Sequence, residues 1–151
     1  MIEPRTILLV EDDANDALLV ERALGKTGFG FQMARARHGD EAIDYLSGVV
    51  PFEDREAHPF PNVVLLDIKL PRRSGFEVLD WIRSQQTDLS RLPVVMLSSS
   101  AQTIDVSRAY DLGANAYLTK PESSRQLQEM MVDFQKFWLR WNESPDLSAL
   151  A

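Results

Sequence analysis

Residues 62–71 read Asn-Val-Val-Leu-Leu-Asp-Ile-Lys-Leu-Pro, and this stretch decides the class of fold. Its four consecutive apolar residues, Val63 to Leu66, follow a Pro-Asn pair that is typical of turns. Such a run predicts a strand covered on both faces, as the strands of parallel sheets are. The run ends in the carboxylate of Asp67, and sites in open α/β sheets form at the carboxyl ends of strands. The stretch therefore predicts a functional role for Asp67.

Four other segments have the character of strands, namely residues 6–10, 29–34, 93–97 and 114–118. Helical patterns, with apolar residues three and four positions apart, follow each strand, and the last of them runs from Ser124 to Trp141. This alternation predicts an α/β fold: a doubly wound, five-stranded parallel sheet with five helices.

The composition points to a single compact domain. The chain has 151 residues, of which 44% are hydrophobic and 26% are charged, enough for one core. We assign residues 1–142 to this domain and residues 143–151 to a carboxyl-terminal tail. The sequence has neither a membrane-spanning apolar run nor the apolar region of a signal peptide, so we expect a cytoplasmic protein without membrane contact. A net charge of −7 argues against nucleic-acid binding, and the absence of cysteine excludes thiolate metal sites.

Complementary polar residues follow four of the predicted strands: Glu11 and Asp12, Asp67, Ser98, and Lys120. The carboxyl ends of parallel strands meet at one edge of the sheet, so three carboxylates, a hydroxyl and an ammonium group are expected to converge. Carboxylates that share a site repel one another, and a hard cation such as Mg²⁺ relieves that repulsion. A carboxylate is also a nucleophile that can form an acyl phosphate. The pattern predicts transfer of a phosphoryl group to Asp67, with the cation and Lys120 stabilising the transferred group.

These motifs resemble the receiver domain of two-component response regulators, which has a CheY-like (flavodoxin-like) fold. The resemblance extends over residues 6–137. The motifs that carry it are Ile-Leu-Leu-Val-Glu-Asp-Asp, Leu-Leu-Asp-Ile-Lys-Leu-Pro followed by Ser-Gly, the strand that ends in Ser98, and Tyr-Leu-Thr-Lys-Pro.

The resemblance implies a role for each residue of the site. Asp67 would be the phosphoacceptor, and Lys120 would contact the phosphoryl group. Glu11 and Asp12 would hold Mg²⁺, with Asp67 and the backbone carbonyl of Lys69 completing the protein ligands.

The resemblance also implies a switch, in which Ser98 supplies the hydroxyl and Tyr117 is the aromatic residue coupled to it. It further implies a cis peptide bond between Lys120 and Pro121, which X-Pro bonds tolerate. Asp13 follows the metal-binding acids, and its position predicts the amino-terminal cap of the first helix.

Two departures from the common receiver pattern suggest a subgroup. The region from residue 48 to 61 is an unusually long loop, and Phe137-Trp138-Leu139 lies near the carboxyl end of the chain, in a last helix that ends in the aromatic residues Phe137, Trp138 and Trp141. Together they resemble the small stand-alone regulators that work with phytochrome-type histidine kinases. That resemblance implies a bacterial phytochrome as partner. The aromatic end predicts an interface, and we expect a homodimer through the carboxyl-terminal helix.

Two other functions compete with a single-domain response regulator that signals by conformational change. A phosphatase of the haloacid-dehalogenase type also forms an aspartyl phosphate, but it needs a second acid where this chain has Lys69. A pseudo-receiver that only binds partners would lack one of the acids or the lysine, and none is missing. We therefore predict a receiver that catalyses its own phosphorylation and dephosphorylation and is not a conventional enzyme.

Overall fold

The computed structural model of the chain describes residues 5–28 and 30–147. Strands and helices alternate, in the order β1 Arg5–Val10, α1 Ala14–Gly25, β2 Phe31–Ala36, α2 Gly39–Ser47, β3 Val63–Leu66, α3 Gly75–Ser84, β4 Val94–Ser98, α4 Thr103–Asp111, β5 Ala116–Thr119 and α5 Ser124–Gln135. A short 3-10 helix at Asp88–Arg91 precedes β4, and a π-helix at Lys136–Trp141 continues α5. All strand pairs are parallel and the sheet order is β2-β1-β3-β4-β5, so the predicted fold class is confirmed.

The sheet order places a topological switch point between β1 and β3. These strands are neighbours, with Val10 opposite Leu66, but the chain leaves β1 toward β2 on one side and leaves β3 toward β4 on the other. The two connections therefore diverge and leave a crevice at the carboxyl ends of β1 and β3, where ligands bind in open α/β sheets.

Helices cover both faces of the sheet and create two apolar cores. Alternate residues of β1 point to opposite faces, so Ile7 and Leu9 join the core under α1 and α5, whereas Leu8 and Val10 join the core under α2, α3 and α4. The run from Val63 to Leu66 is buried throughout, as the sequence predicts. Coverage on both faces explains why the strands read as continuous apolar runs rather than alternating ones.

Several boundaries differ from the predicted ones. The observed β2 starts at Phe31 and not at residue 29, and Phe29 lies outside the described residues. The β5 strand starts at Ala116, two residues later than predicted, because Gly113 has a φ of +101° and the Asn115 side chain accepts a hydrogen bond from Val94 N–H in the turn before it. The last helix changes from α to π geometry at Lys136.

The expectation of a cis bond between Lys120 and Pro121 is wrong. Among the described residues, the cis peptide bond joins Val50 and Pro51. An X-Pro bond favours trans by only about 0.5–1 kcal/mol, so the surrounding structure decides the isomer at each site.

The long loop after α2 is attached to the end of that helix. The Arg55 guanidinium donates to the carbonyl oxygens of Tyr45 at 2.8 Å and of Leu46 at 3.1 Å in the last turn of α2, and the Tyr45 carbonyl also accepts from Gly48 N–H at 3.3 Å. The Tyr45 hydroxyl in turn donates to the Pro59 carbonyl at 2.7 Å. Burial, slightly offset by the nearby Arg55 charge, raises the pKa of Tyr45 to about 12.

The described part of the tail packs on the domain. Arg5, at the start of β1, donates to Ser144 Oγ at 3.5 Å and to the carbonyl of Asn142, just before the tail, at 3.0 Å, and the Leu147 side chain is buried in the core under α2, α3 and α4. Within residues 5–28 and 30–147, none of the helices combines the length and apolar character that crossing a membrane requires.

Candidate functional site

Three carboxylates converge at the crevice between β1 and β3. Glu11 and Asp12 directly follow β1, and Asp67 directly follows β3. One oxygen from each of them lies within 4.8 Å of the others, a spacing that suits a single metal ion. Glu11 and Asp67 are buried, whereas Asp12 is exposed. The structure thus brings together the three acids that the sequence singles out.

Lys120, which follows β5, places its ammonium group among these acids. Its Nζ forms an ion pair with Glu11 Oε1 and lies 3.3 Å from Asp67 Oδ2. It also lies 3.3 Å from Asp16 Oδ2, a fourth carboxylate that the sequence reasoning missed. Asp16 is the third residue of α1, three positions after the cap Asp13. The third residue of a helix lies beside the helix start. The predicted cap at Asp13 therefore indicates that Asp16 lies near the carboxyl end of β1.

Burial and charge shift the pKa values of the central ion pair. Burial raises the pKa of Glu11 to about 7, and the nearby charge of Asp67 acts in the same direction, while the hydrogen bond from Lys120 opposes both. For Lys120, burial favours the neutral amine. The hydrogen bond to Glu11 and the charges of Asp67, Glu11 and Asp16 outweigh that effect and raise its pKa, so the ammonium form persists. A bound divalent cation would favour ionised Glu11.

The backbone around Asp67 is held on both sides. Asp67 N–H donates to the Val10 carbonyl at 3.1 Å, and Asp67 Oδ1 accepts from Ile68 N–H at 2.7 Å. The chain then returns so closely that a Cβ on Gly75 would lie 2.0 Å from the Asp67 carbonyl oxygen. Gly75 is therefore required for α3 to begin against Asp67.

The backbone after β1 is held by an arginine from the edge strand β2. Arg35 donates from Nε and Nη2 to the Glu11 carbonyl at 3.1 and 3.0 Å, and from Nη2 to the Asp12 carbonyl at 3.3 Å. Asp13 caps α1 as predicted, accepting from the N–H groups of Asn15 and Asp16. The contribution of Arg35 has no local signal in the sequence, since it depends on the pairing of β1 with β2.

Ser98 and Tyr117 each bond to Ser100, which lies in the loop between β4 and α4. Ser98 is buried, and its hydroxyl oxygen accepts from Ser100 N–H at 3.2 Å. The Tyr117 hydroxyl donates to the Ser100 carbonyl at 2.7 Å. Lys120 N–H donates to the Ser98 carbonyl at 2.8 Å, which connects the ends of β4 and β5. The structure therefore joins the predicted switch residues through Ser100.

Lys69 and the aromatic residues lie at the surface. Lys69 is exposed and lines a cleft of about 490 Å³ with residues of the β4–α4 loop. Phe137 and Trp141 are 53% and 68% exposed, whereas Trp138 is half-buried and packs on the core under α1 and α5. The aromatic trio therefore divides into two exposed side chains and one that contributes to the core.

The sequence matches a known family. Residues 7–132 fit the family model described as the response regulator receiver domain. The protein named Probable methanogenesis regulatory protein FilR2, from Methanothrix harundinacea (strain 6Ac), is 38% identical over 143 residues, which are 95% of this chain and 89% of that protein. Response regulator Rcp1 of Synechocystis sp. is 38% identical over 136 residues, covering 90% of each chain.

Solved structures resemble the whole fold. The phosphorylated cyanobacterial phytochrome response regulator RcpA has a TM-score of 0.87 at 34% identity, over 95% of this chain and 99% of its own. The Mn²⁺-bound form of response regulator Rcp1 has a TM-score of 0.84 at 37% identity, over 94% of this chain and 99% of its own. Rcp1 is thus a relative with a bound divalent metal, and in this chain Glu11, Asp12 and Asp67 form an acidic cluster that could hold one.

Proposed function

The chain belongs to the response regulator receiver domain family, and we propose that it accepts a phosphoryl group from a histidine kinase onto Asp67. The observation that carries this proposal is the position of the Asp67 carboxylate, which lies beside Glu11 and Asp12 and 3.3 Å from the Lys120 ammonium. A receiver is a signalling protein and not a conventional enzyme. Membership of this family, together with Lys69 in place of a second acid, leaves no support for a haloacid-dehalogenase-type phosphatase.

The chemistry follows from the charges at the site. A carboxylate oxygen of Asp67 attacks phosphorus, the P–N bond of the phosphohistidine breaks, and the imidazole leaves with a proton, which leaves an acyl phosphate on Asp67. The Lys120 ammonium neutralises charge on the phosphoryl oxygens. Its raised pKa keeps it charged throughout the neutral pH range.

The metal in this proposal is Mg²⁺, held by Glu11, Asp12 and Asp67, with the Lys69 backbone carbonyl as a further ligand. The donor set consists of oxygen atoms, which suit a hard cation that keeps several water ligands. Bound Mg²⁺ supplies positive charge to the phosphoryl oxygens. That charge would also favour the ionised form of Glu11, whose pKa burial raises to about 7.

Phosphorylation would act on Ser98 and Tyr117. In this proposal the Ser98 hydroxyl turns to the phosphoryl group and gives up the Ser100 N–H, and Tyr117 follows because its hydroxyl is bonded to the same residue. The surface formed by α4, β5 and α5 then differs between the two states.

The proposed kinase is of the phytochrome type. The similarity to Rcp1 and RcpA over nearly the whole chain supports this choice. The test is a transfer assay with a panel of phosphorylated histidine kinases that includes a bacterial phytochrome. We expect the phytochrome to transfer fastest, and equal transfer from every kinase would contradict a phytochrome partner.

We also propose a homodimer that buries the aromatic end of the last helix, formed by Phe137, Trp138 and Trp141. Its exposed apolar area supports this. Because Trp138 contributes to the core, Trp141→Glu is the better probe. It should give a folded monomer in light scattering, while Glu143→Lys, a charge change on an exposed residue nearby, should leave the dimer intact. A wild-type protein that stays monomeric at high concentration would refute the dimer.

The phosphoacceptor is tested directly. Incubation with acetyl phosphate and Mg²⁺ should add one phosphoryl mass to the wild-type chain, and base should remove it. Asp67→Asn should prevent the addition. Persistence of the modification in that variant would refute the assignment, and its absence from the wild type would refute phosphoryl acceptance itself.

A further inference from the structure

Ser100 takes part in four hydrogen bonds that connect three elements of the fold. Its N–H donates to Ser98 Oγ at 3.2 Å, and its carbonyl accepts from the Tyr117 hydroxyl at 2.7 Å. Its own hydroxyl donates to Asp105 Oδ2 at 2.6 Å and accepts from Gln102 N–H at 3.3 Å. A single loop residue thus bonds to the end of β4, to β5 and to the first turn of α4.

The last two bonds make Ser100 part of the start of α4. Gln102 is the cap residue of this helix, and its side chain makes no capping bond. Asp105 is the third residue of α4, the position from which an acid normally reaches the N–H of the cap residue. Here the Ser100 hydroxyl lies between the two, accepting from Gln102 and donating to Asp105. The first turn of α4 therefore depends on where Ser100 lies.

We propose that Asp105 is a positioning residue that, through Ser100, couples the phosphorylation site to the first turn of α4. The inference rests on the proposed function, in which Ser98 turns toward the phosphoryl group. Ser98 then ceases to accept from Ser100 N–H, a backbone donor that needs a new partner. Asp105 anchors Ser100 by a charge-assisted hydrogen bond, which is stronger than a bond between neutral groups. A shift of Ser100 is consequently passed to α4 instead of being absorbed by the loop.

The hydrogen bonds of Ser100 divide between its backbone and its side chain. The Ser100 backbone faces the switch residues Ser98 and Tyr117, while its side chain faces α4. Removing the hydroxyl or the Asp105 carboxylate breaks only the connection to α4 and leaves both backbone bonds available. A substitution of either side chain can therefore separate phosphoryl uptake from the response of α4.

The experiment compares Ser100→Ala and Asp105→Ala with two controls. Ser100→Thr keeps a hydroxyl, and Asp111→Ala removes the same charge from the exposed last residue of α4. Phosphoryl uptake from acetyl phosphate with Mg²⁺ is measured by intact mass. Hydrogen exchange of peptides covering residues 99–111 is then measured with and without acetyl phosphate.

We expect both alanine variants to take up phosphoryl within about twofold of the wild-type amount, because neither residue belongs to the acceptor cluster. The change in exchange on phosphorylation should fall below half of the wild-type change in each, and the double variant should lose no more than either single one. Both controls should keep the wild-type change. If Asp105→Ala does not fold, Ser100→Ala and its threonine control carry the same comparison.

Three results would overturn the inference. One is a full wild-type change in both alanine variants. Another is faster exchange by the same amount in both states with an unaltered difference between them, which is what a purely structural role produces. The third is a phosphorylated wild-type protein whose α4 exchange does not change. By contrast, a wild-type protein that takes up no phosphoryl group fails the proposed function first, and the inference falls with it.

Discussion

The loop that follows β3 and the loop that follows β4 lie at the same edge of the sheet, but they begin their helices differently. The β3–α3 loop caps its own helix: Ser74 and Glu77 form a direct capping box, and Gly75 N–H returns to the Ile68 carbonyl at 2.8 Å. The β4–α4 loop has no direct capping box, and Ser100 completes the cap while also bonding to two strands. We expect the first arrangement to hold Asp67, the proposed phosphoacceptor, in place, and the second to let α4 respond to phosphorylation.

This difference predicts which property of the protein a substitution in each loop will change. In the β3–α3 loop, a substitution should alter the stability of the protein or the affinity of the site without altering the response of α4. In the β4–α4 loop, the response should change while the site remains intact.

The largest effect is expected from Gly75→Ala. The added Cβ would lie 2.0 Å from the Asp67 carbonyl oxygen, a backbone atom that cannot move without displacing Asp67 itself. We expect the free energy of unfolding to fall by about 3 kcal/mol, measured by urea unfolding, and phosphoryl uptake to fall with it. Gly25→Ala is the control, since a Cβ at Gly25 meets nothing within 4 Å. Equal stability of the two variants would contradict the idea that the β3–α3 loop packs too closely on Asp67 to accept a side chain at Gly75.

A smaller effect is expected from Asp12→Ala, which removes an exposed acid of the proposed metal site. Calorimetry should find the Mg²⁺ affinity lowered about tenfold or more, roughly 1.4 kcal/mol. Asp13→Ala removes the same charge from the next residue, which caps α1. It should cost about 1 kcal/mol of stability but leave the Mg²⁺ affinity within about threefold of wild type. Unchanged affinity in Asp12→Ala would remove this residue from the metal site.

Ser74→Ala compares the two helix starts directly. Loss of the direct cap on α3 should lower the free energy of unfolding by about 1 kcal/mol, while hydrogen exchange of α4 should change on phosphorylation as in the wild type. Ser100→Ala also removes part of a helix cap and should cost a similar amount of stability, but it should reduce the change in α4 exchange on phosphorylation. A Ser74 variant that loses the α4 response would break the comparison between the loops.

The smallest effect concerns Arg72, whose φ of +68° is positive although it is not glycine. Residues with a Cβ are strained in this region, so Arg72→Gly should raise the free energy of unfolding by about 0.5 kcal/mol after the entropic cost of glycine. Arg72→Ala keeps the Cβ and should bring no gain. Thermal unfolding of the two variants measures the difference, and a gain in the alanine variant would assign the effect to the side chain instead of the backbone.

Much of the architecture was determined by the sequence alone. The buried run Val63–Leu66 and the acids after β1 and β3 are local features, because a strand covered on both faces must be apolar throughout and must end where polar groups begin. The parallel topology then requires the carboxyl ends of the strands to share one edge. The meeting of Glu11, Asp12, Asp67 and Lys120 follows from these two facts.

Only the tertiary structure decided the contacts between segments that are distant in sequence. Arg35 bonds to the backbone after β1, 24 positions away in sequence, and Asp16 pairs with Lys120, 104 positions away. In both cases the partner depends on how the elements pack. The isomer at Pro121 is likewise not set locally, because the two forms of an X-Pro bond differ by only about 0.5–1 kcal/mol. The change from α to π geometry at Lys136 has no local signal in the sequence. The apolar pattern that directs folding is the same for either choice.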